Sequence, residues 1–353
     1  MLSLDSSHQI FFTLIRNLFM SGISNEVSFS NITGDEWTKI REVANTQGLS
    51  GVCLDSFDRL PTYNRPNSAV LLPWIGNVLA IERSYNFHLK VLKRFVDLMR
   101  DNGVNVLLLK GYELSKYYPV PNHRPCGDID VYLMGDYEKG NDIVRQLGIN
   151  IEHEDDKHCS FVFDGVVIEN HKTLLAINQY SADKTSEEQI MKNKEYLDFQ
   201  PEGYYILKPL DNYIFLLRHL ARHFGSEEGY NSRQLLDIML FLSKNKNNID
   251  KHDLLQFLKE SRMVQTNDLF LTLGFQLFGI DLSEFVFNGV DERYQQLALL
   301  DLIETKDVKH RDKDGMLAKW KELFAIRWKY KVLPESFFER LIFGLKNTIK
   351  QSL

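Results

Sequence analysis

Gly127-Asp128-Ile129-Asp130-Val131 decides the reading of this chain, taken with Leu109-Lys110-Gly111 before it and Val166-Val167-Ile168-Glu169-Asn170-His171 after it. Alternate side chains of a β-strand share a face, so Asp128 and Asp130 point one way while Ile129 and Val131 enter the core. Two carboxylates roughly 7 Å apart along a strand can converge on one divalent cation or bridge two. A third carboxylate on a neighbouring strand would complete a two-metal phosphoryl-transfer site. Glu169 is the candidate. Asp164-Gly165, between Cys159-Ser160-Phe161-Val162-Phe163 and the Val166 run, is a hairpin signal. In the second strand Val167, Glu169 and His171 share a face, so pairing with the Asp128 strand would bring Glu169 beside the two aspartates.

Upstream, Val104-Asn105-Val106-Leu107-Leu108-Leu109 reads as a buried strand, followed by a helix from Gly111 to about Tyr118 that stops before Pro119 and Pro121. A helix from Asp136 to about Leu147, closed by Gly148, comes between the acid strand and the hairpin. Residues 1 to about 100 read as helical, from Trp37 to Asn45 and along Pro73 to Arg100. In the latter Tyr85, Leu89, Leu92, Val96 and Met99 recur at helical spacing and Gly103 marks the stop. From about Leu207 onward helices return, with breaks at Asn245–Asn248 and Val332-Leu333-Pro334. Three segments follow, with boundaries near 100 and 200: helices, a small mixed sheet with α/β character, and helices again.

These motifs resemble the polymerase β-type nucleotidyltransferase superfamily, with its glycine turn and helix, Asp-x-Asp and later acid. The narrower similarity is to a bacterial nucleotidyltransferase family carrying Leu-Lys-Gly, Arg-x-x-Gly-Asp-x-Asp and acid-x-His. Here those are Leu109-Lys110-Gly111, Arg124 to Asp130, and Glu169-Asn170-His171, with His219-Leu220-Ala221-Arg222-His223, Arg233 and Asp237 beyond. The turn departs from the superfamily's Gly-Gly or Gly-Ser, since Tyr112 follows Gly111, and the gap from Gly111 to Asp128 is long. The resemblance implies transfer of a nucleoside monophosphate from an NTP to a hydroxyl acceptor, a small molecule or a protein, with pyrophosphate leaving. It implies Mg²⁺, or Mn²⁺, held by Asp128, Asp130 and Glu169, with Glu169 activating the acceptor hydroxyl.

Hard cations prefer oxygen ligands, which suits three carboxylates. Lys110 and Gly111, at a helix start, can face phosphate, or form a tight turn with no ligand. Arg124 can grip phosphate in bidentate fashion or neutralise the acids. His171, on the Glu169 face, can ligate metal, bond the nucleotide or orient that acid, with orientation the expected role. On the helix from about Leu210 to Phe224, the apolar stripe is Leu210, Ile214, Leu217, Ala221 and Phe224. His219 and His223 occupy the other side, one turn apart, and are expected to contact nucleotide or acceptor over the sheet. Arg233 and Asp237 read as a helix ion pair.

Two rival functions stay open. Arg218 and His223 match the Arg-x₄-His pattern of HEPN ribonucleases, and the altered Gly111-Tyr112 turn would suit a module that binds nucleotide without turnover. Among 353 residues, 44% are hydrophobic, enough for a large core, and the net charge of −6 disfavours long nucleic acid as a partner. Cys53, Cys126 and Cys159 lack metal-ligand spacing and read as reduced cytoplasmic thiols, Cys126 packing beside the site. The apolar run Ile10–Ile15 is too short to span a bilayer and has no signal-peptide flanks, so no membrane partner is expected and a cytoplasmic location is. Lys309 to Asp314 mixes both charges, as a solvated segment does. Oligomeric state has no signature.

Overall fold

A computed structural model describes residues 4–20, 29, 31–192, 197–226, 229–304 and 324–342; the charged stretch 309–314 lies outside them. The chain opens with helices α1 (Ser6–Phe19), α2 (Gly34–Thr46), α3 (Ser50–Ser56) and the long α4 (Ser68–Asp101). Local chemistry sets their starts. Thr33 and Glu36 form a reciprocal capping box on α2, and the Asn67 side chain accepts from the Val70 N–H at the start of α4. That cap begins α4 five residues before Pro73, where the sequence placed its start, so the proline lies inside the helix. Tyr85, Leu92, Val96 and Met99 are buried as the spacing predicts, but Leu89 is 41% exposed. The buried face of the second half of α4 instead includes Val91 and Phe95, on the side of Leu92 away from Leu89.

Next come β1 (Leu107–Leu108), α5 (Tyr112–Ser115), β2 (Ile129–Tyr132), α6 (Tyr137–Gln146), β3 (Ile151–Glu154), β4 (His158–Phe163) and β5 (Val166–His171). Then follow α7 (Ser181–Lys192), β6 (Leu197–Phe199), β7 (Tyr205–Leu207), α8 (Pro209–Gly225) and α9 (Ser232–Asn245). The last are α10 (Lys251–Glu260), α11 (Val264–Phe278) and α12 (Glu292–Ile303). Residues 104–109 are all buried except Asn105, yet only two pair as strand. Helix α5 is a single turn rather than the longer helix expected from Gly111 to Tyr118: Lys116 N–H already bonds back to Glu113 with three-residue spacing. Strand β3 has one apolar residue and is mostly exposed, and β6 and β7, three residues each, are too short to show a period in the sequence.

The result is an α+β architecture with a mixed seven-stranded sheet in the order β3-β4-β5-β2-β1-β7-β6. The β4–β5 hairpin turns at Asp164-Gly165, both with positive φ (50° and 83°), the backbone that a two-residue primed turn demands. Strand β5 then lies parallel to β2, with Ile129 opposite Ile168 and Asp130 opposite Glu169.

Two apolar cores divide the molecule. One lies between the second half of α4 and the sheet, built from Phe95, Val96, Ile129, Val131, Phe161 and Ile168 among others. The other joins helices from both ends of the chain, bringing Phe11, Phe12 and Trp37 together with Phe224, Phe241 and Phe270. The segments before 100 and after 200 therefore share one interior. Among the described helices, none is long and apolar enough to cross a membrane.

Candidate functional site

The polar face of the sheet, opposite α4, carries the acids. Asp130 is 2% exposed, and its Oδ1 lies 3.0 Å from Lys110 Nζ and 3.1 Å from His171 Nε2. A carboxylate can only accept, so His171 donates from Nε2. The same nitrogen is 3.6 Å from Glu169 Oε2, and donor atoms of Asp130, Glu169 and His171 all lie within 4.8 Å of one another. The backbone reinforces the arrangement: the Leu109 N–H donates to the Asp130 carbonyl at 3.2 Å, which delivers Lys110 to the acid. Asp128 precedes the paired strand, stands outside that close cluster, and lines an open cavity with Glu169 and Lys110.

Electrostatics separates the three carboxyls. Burial and the neighbouring Asp130 push Asp128 up to about 6, against the pull of Lys110. Burial would also raise Asp130, but Lys110 and His171 outweigh it and hold that carboxyl well below the usual range. Glu169 is lowered by its hydrogen bond from His171, with burial opposing. Lys110 loses solvation on burial, yet Asp130 and then Asp128 raise its pKa, so its charge is secure.

The cavity, about 490 Å³, is roofed by α8. His219 and His223 both line it, their rings edge to face at 4.6 Å. Burial, reinforced by Lys110, holds His219 well below the normal histidine value and brings His223 to about 4. Both are neutral at pH 7. This is the polar side of α8 that the sequence assigned to the sheet; the opposite stripe of Ile214, Leu217, Ala221 and Phe224 is buried in the helical core.

Other sequence candidates are placed differently. Arg124 reaches neither cavity nor acids. It is 3% exposed and holds Asp237 in bidentate fashion, Nε to Oδ1 at 2.8 Å and Nη2 to Oδ2 at 2.7 Å. Tyr118 donates to the same Oδ1 at 2.7 Å, and Cys126 Sγ lies 3.3 Å from Arg124 Nη1. Arg233 is 4.0 Å from Asp237, so the expected helix ion pair is a minor contact and Arg124 is the main partner. The reason is depth: Asp237 faces inward, where a planar guanidinium satisfies both oxygens. Arg218 is wholly buried and binds Asp183 at 2.8 Å and Glu335. Gly111 has φ 73° and open space where a Cβ would stand, but the single turn of α5 offers no extended helix end to an anion.

Reading from sequence missed Lys157, His158, Tyr180, Tyr330 and Arg340, all of which line the cavity. His158 had a signal. Extending β4 by one residue before Cys159 puts His158 and Ser160 on the face opposite the buried Cys159 and Phe161. There His158 stacks on His171 at 5.4 Å and approaches Glu169 at 3.6 Å. The C-terminal residues had none, because their place depends on Glu335 meeting Arg218.

Comparison with known proteins defines the class. The family described as "Uncharacterised nucleotidyltransferase" matches residues 33–279, and the chain belongs to it. A comparison with curated proteins finds no match. A solved solution structure of the antibiotic-resistance factor ANT(2'')-Ia aligns at 9% identity and TM-score 0.37, covering 50% of this chain and 92% of that one.

Proposed function

We propose that the cavity transfers a nucleoside monophosphate from an NTP to a hydroxyl-bearing acceptor, releasing pyrophosphate. The observation that carries this reading is the parallel register of Asp130 beside Glu169, with Asp128 opening onto the same cavity. Three carboxylates share one face and, among the described residues, Lys110 is the one lysine or arginine in direct contact with them, so the donor set fits an oxygen-seeking divalent cation. Asp128 and Glu169 would hold it from the cavity side and Asp130 from beneath. Bound there, Mg²⁺ or Mn²⁺ would draw in phosphate oxygens and stabilise charge on the entering and leaving oxygens.

The chain's own groups divide the remaining work. Glu169 accepts the proton of the acceptor hydroxyl, and His171, donating from Nε2, orients the acids around it. Lys110 keeps Asp130 ionised. Neutral His219 and His223 offer hydrogen bonds to the nucleotide without adding charge. Arg124 acts from a distance, tying the segment before β2 to α9 through Asp237. The ribonuclease alternative finds little support, since its arginine, Arg218, is enclosed by Asp183 and Glu335.

The test is calorimetric titration of ATP, GTP, CTP and UTP, with and without Mg²⁺, on wild type and on the double variant Asp128→Asn/Asp130→Asn. Metal-dependent binding lost in the variant is the expected result, followed by transfer of labelled nucleotide to an acceptor. Binding that ignores both metal and substitution would overturn the proposal; binding without transfer to any acceptor would favour a nucleotide-sensing module.

A further inference from the structure

Resting on that reading, the distribution of cations in the same cavity bears on where phosphate is held. Cations near the site are mostly committed. Lys110 is bound to Asp130, Arg124 to Asp237, and Arg218 to Asp183 and Glu335. Lys157 is the exception. It leaves the β3–β4 turn half-buried, lines the cavity, and has no ion-pair partner among the described residues. Its backbone carries the turn, donating to Asp155 and accepting from Lys172, so the side chain has no structural duty there. Arg222 lines the same cavity from α8; its guanidinium meets Gln179 at 3.4 Å and its nearest carboxylate, Asp183, only at 3.9 Å. Burial, then the nearby charges of Arg222 and Lys110, bring Lys157 down to about 8 against the weaker opposing pull of Asp130 and Glu169. A desolvated ammonium beside two like charges is costly unless an anion completes it.

We infer that Lys157, from the β3–β4 turn, and Arg222, from α8, form a binding site for phosphate oxygens in this cavity. A polyphosphate satisfies this geometry, because Arg222 offers a planar fork and Lys157 a point charge to separate oxygens. The single-turn α5 presents little to phosphate, and these two side chains supply what its backbone does not. The phosphate belongs either to the tail of the nucleotide or to a phosphate ester on the acceptor.

Inorganic tripolyphosphate, titrated without divalent metal, reports this subsite alone. Wild type is expected to bind it, with Lys157→Gln and Arg222→Gln each weakening binding about tenfold or more. Lys157→Arg should restore most of the affinity. Thermal melts of each variant check that the fold is intact. Tripolyphosphate binding that is absent in wild type, or equal in Lys157→Gln and wild type, overturns the inference. The source is read by competition: if an α,β-methylene NTP with Mg²⁺ displaces tripolyphosphate, the subsite takes the nucleotide tail, and if both bind together it takes the acceptor's phosphate. Loss of tripolyphosphate binding in Lys157→Gln, with no nucleotide transfer by wild type, would keep the subsite and discard the transfer reaction.

Discussion

One face of the central sheet is closed and apolar; the other is open and overcharged, and both come from the same alternating strands. Under α4, Ile129, Val131, Phe161 and Ile168 are each no more than 1% exposed. One residue along, Asp130, Glu169 and His171 crowd within 4.8 Å. The apolar face holds the fold through burial, whereas the polar face concentrates like charges that a stability optimum would disperse. Rigidity on one side is what permits electrostatic tension on the other.

The largest expected effect is on activity. Asp128→Asn should lower nucleotide transfer by on the order of 10³-fold or more, measured by release of labelled pyrophosphate. A variant retaining more than about a tenth of the wild-type rate would remove Asp128 from the chemistry. On the apolar face, Ile168→Ala should cost roughly 2–5 kcal/mol of stability in denaturant unfolding while the remaining folded protein keeps its Mg²⁺ dependence. Comparable damage to both properties would mean the faces are not separable.

Asp128→Asn should also stabilise the metal-free protein by on the order of 1–3 kcal/mol at neutral pH. The folded carboxyl titrates near 6 instead of 3.8, so the native state binds the extra proton. Wild-type stability therefore falls as pH rises through that window, and the asparagine variant, melted across the same range, should lack the fall. If both lose stability alike, Asp128 is not the strained group.

A smaller effect is expected away from the sheet. His123 bridges Asp55 at 2.7 Å and Glu82 at 2.9 Å. The hydrogen bond it donates to Asp55, opposed by burial and helped by both carboxylates' charge, raises it above 6.5. Its contribution is complete below 6.5 and lost as pH climbs through the higher folded value. The wild-type melting temperature should thus drop with rising pH more than that of His123→Gln; parallel curves would show the bridge to be neutral.

Much of the polar face was legible. Alternation in Gly127–Val131 and Val166–His171 separated acids from core, and the Asp164-Gly165 turn supplied the hairpin that brings them into one sheet. Period-two alternation survives folding because a one-residue slip would bury charges. The length of α5 was not legible, since helix extent depends on whether the next turn can pack, and the chain at Lys116 tightens instead. Arg124 was also misplaced. Its residue type suits phosphate and carboxylate equally, and only the meeting of Tyr118, Arg124 and Asp237, residues 113 apart at the ion pair, decides between them.

By itself the sequence determined which residues share a strand or helix face, and hence the three acids, His171 and the histidine pair of α8. Such relations are local, written into repeat periods of two and 3.6. The tertiary structure alone decided which cations are committed and which remain available. Arg124 and Arg218 are consumed by Asp237, Asp183 and Glu335, while Lys157 faces the cavity unpaired among the described residues. Pairing is long-range, and desolvation, which makes a charge's partner matter, exists only once the chain has closed around it.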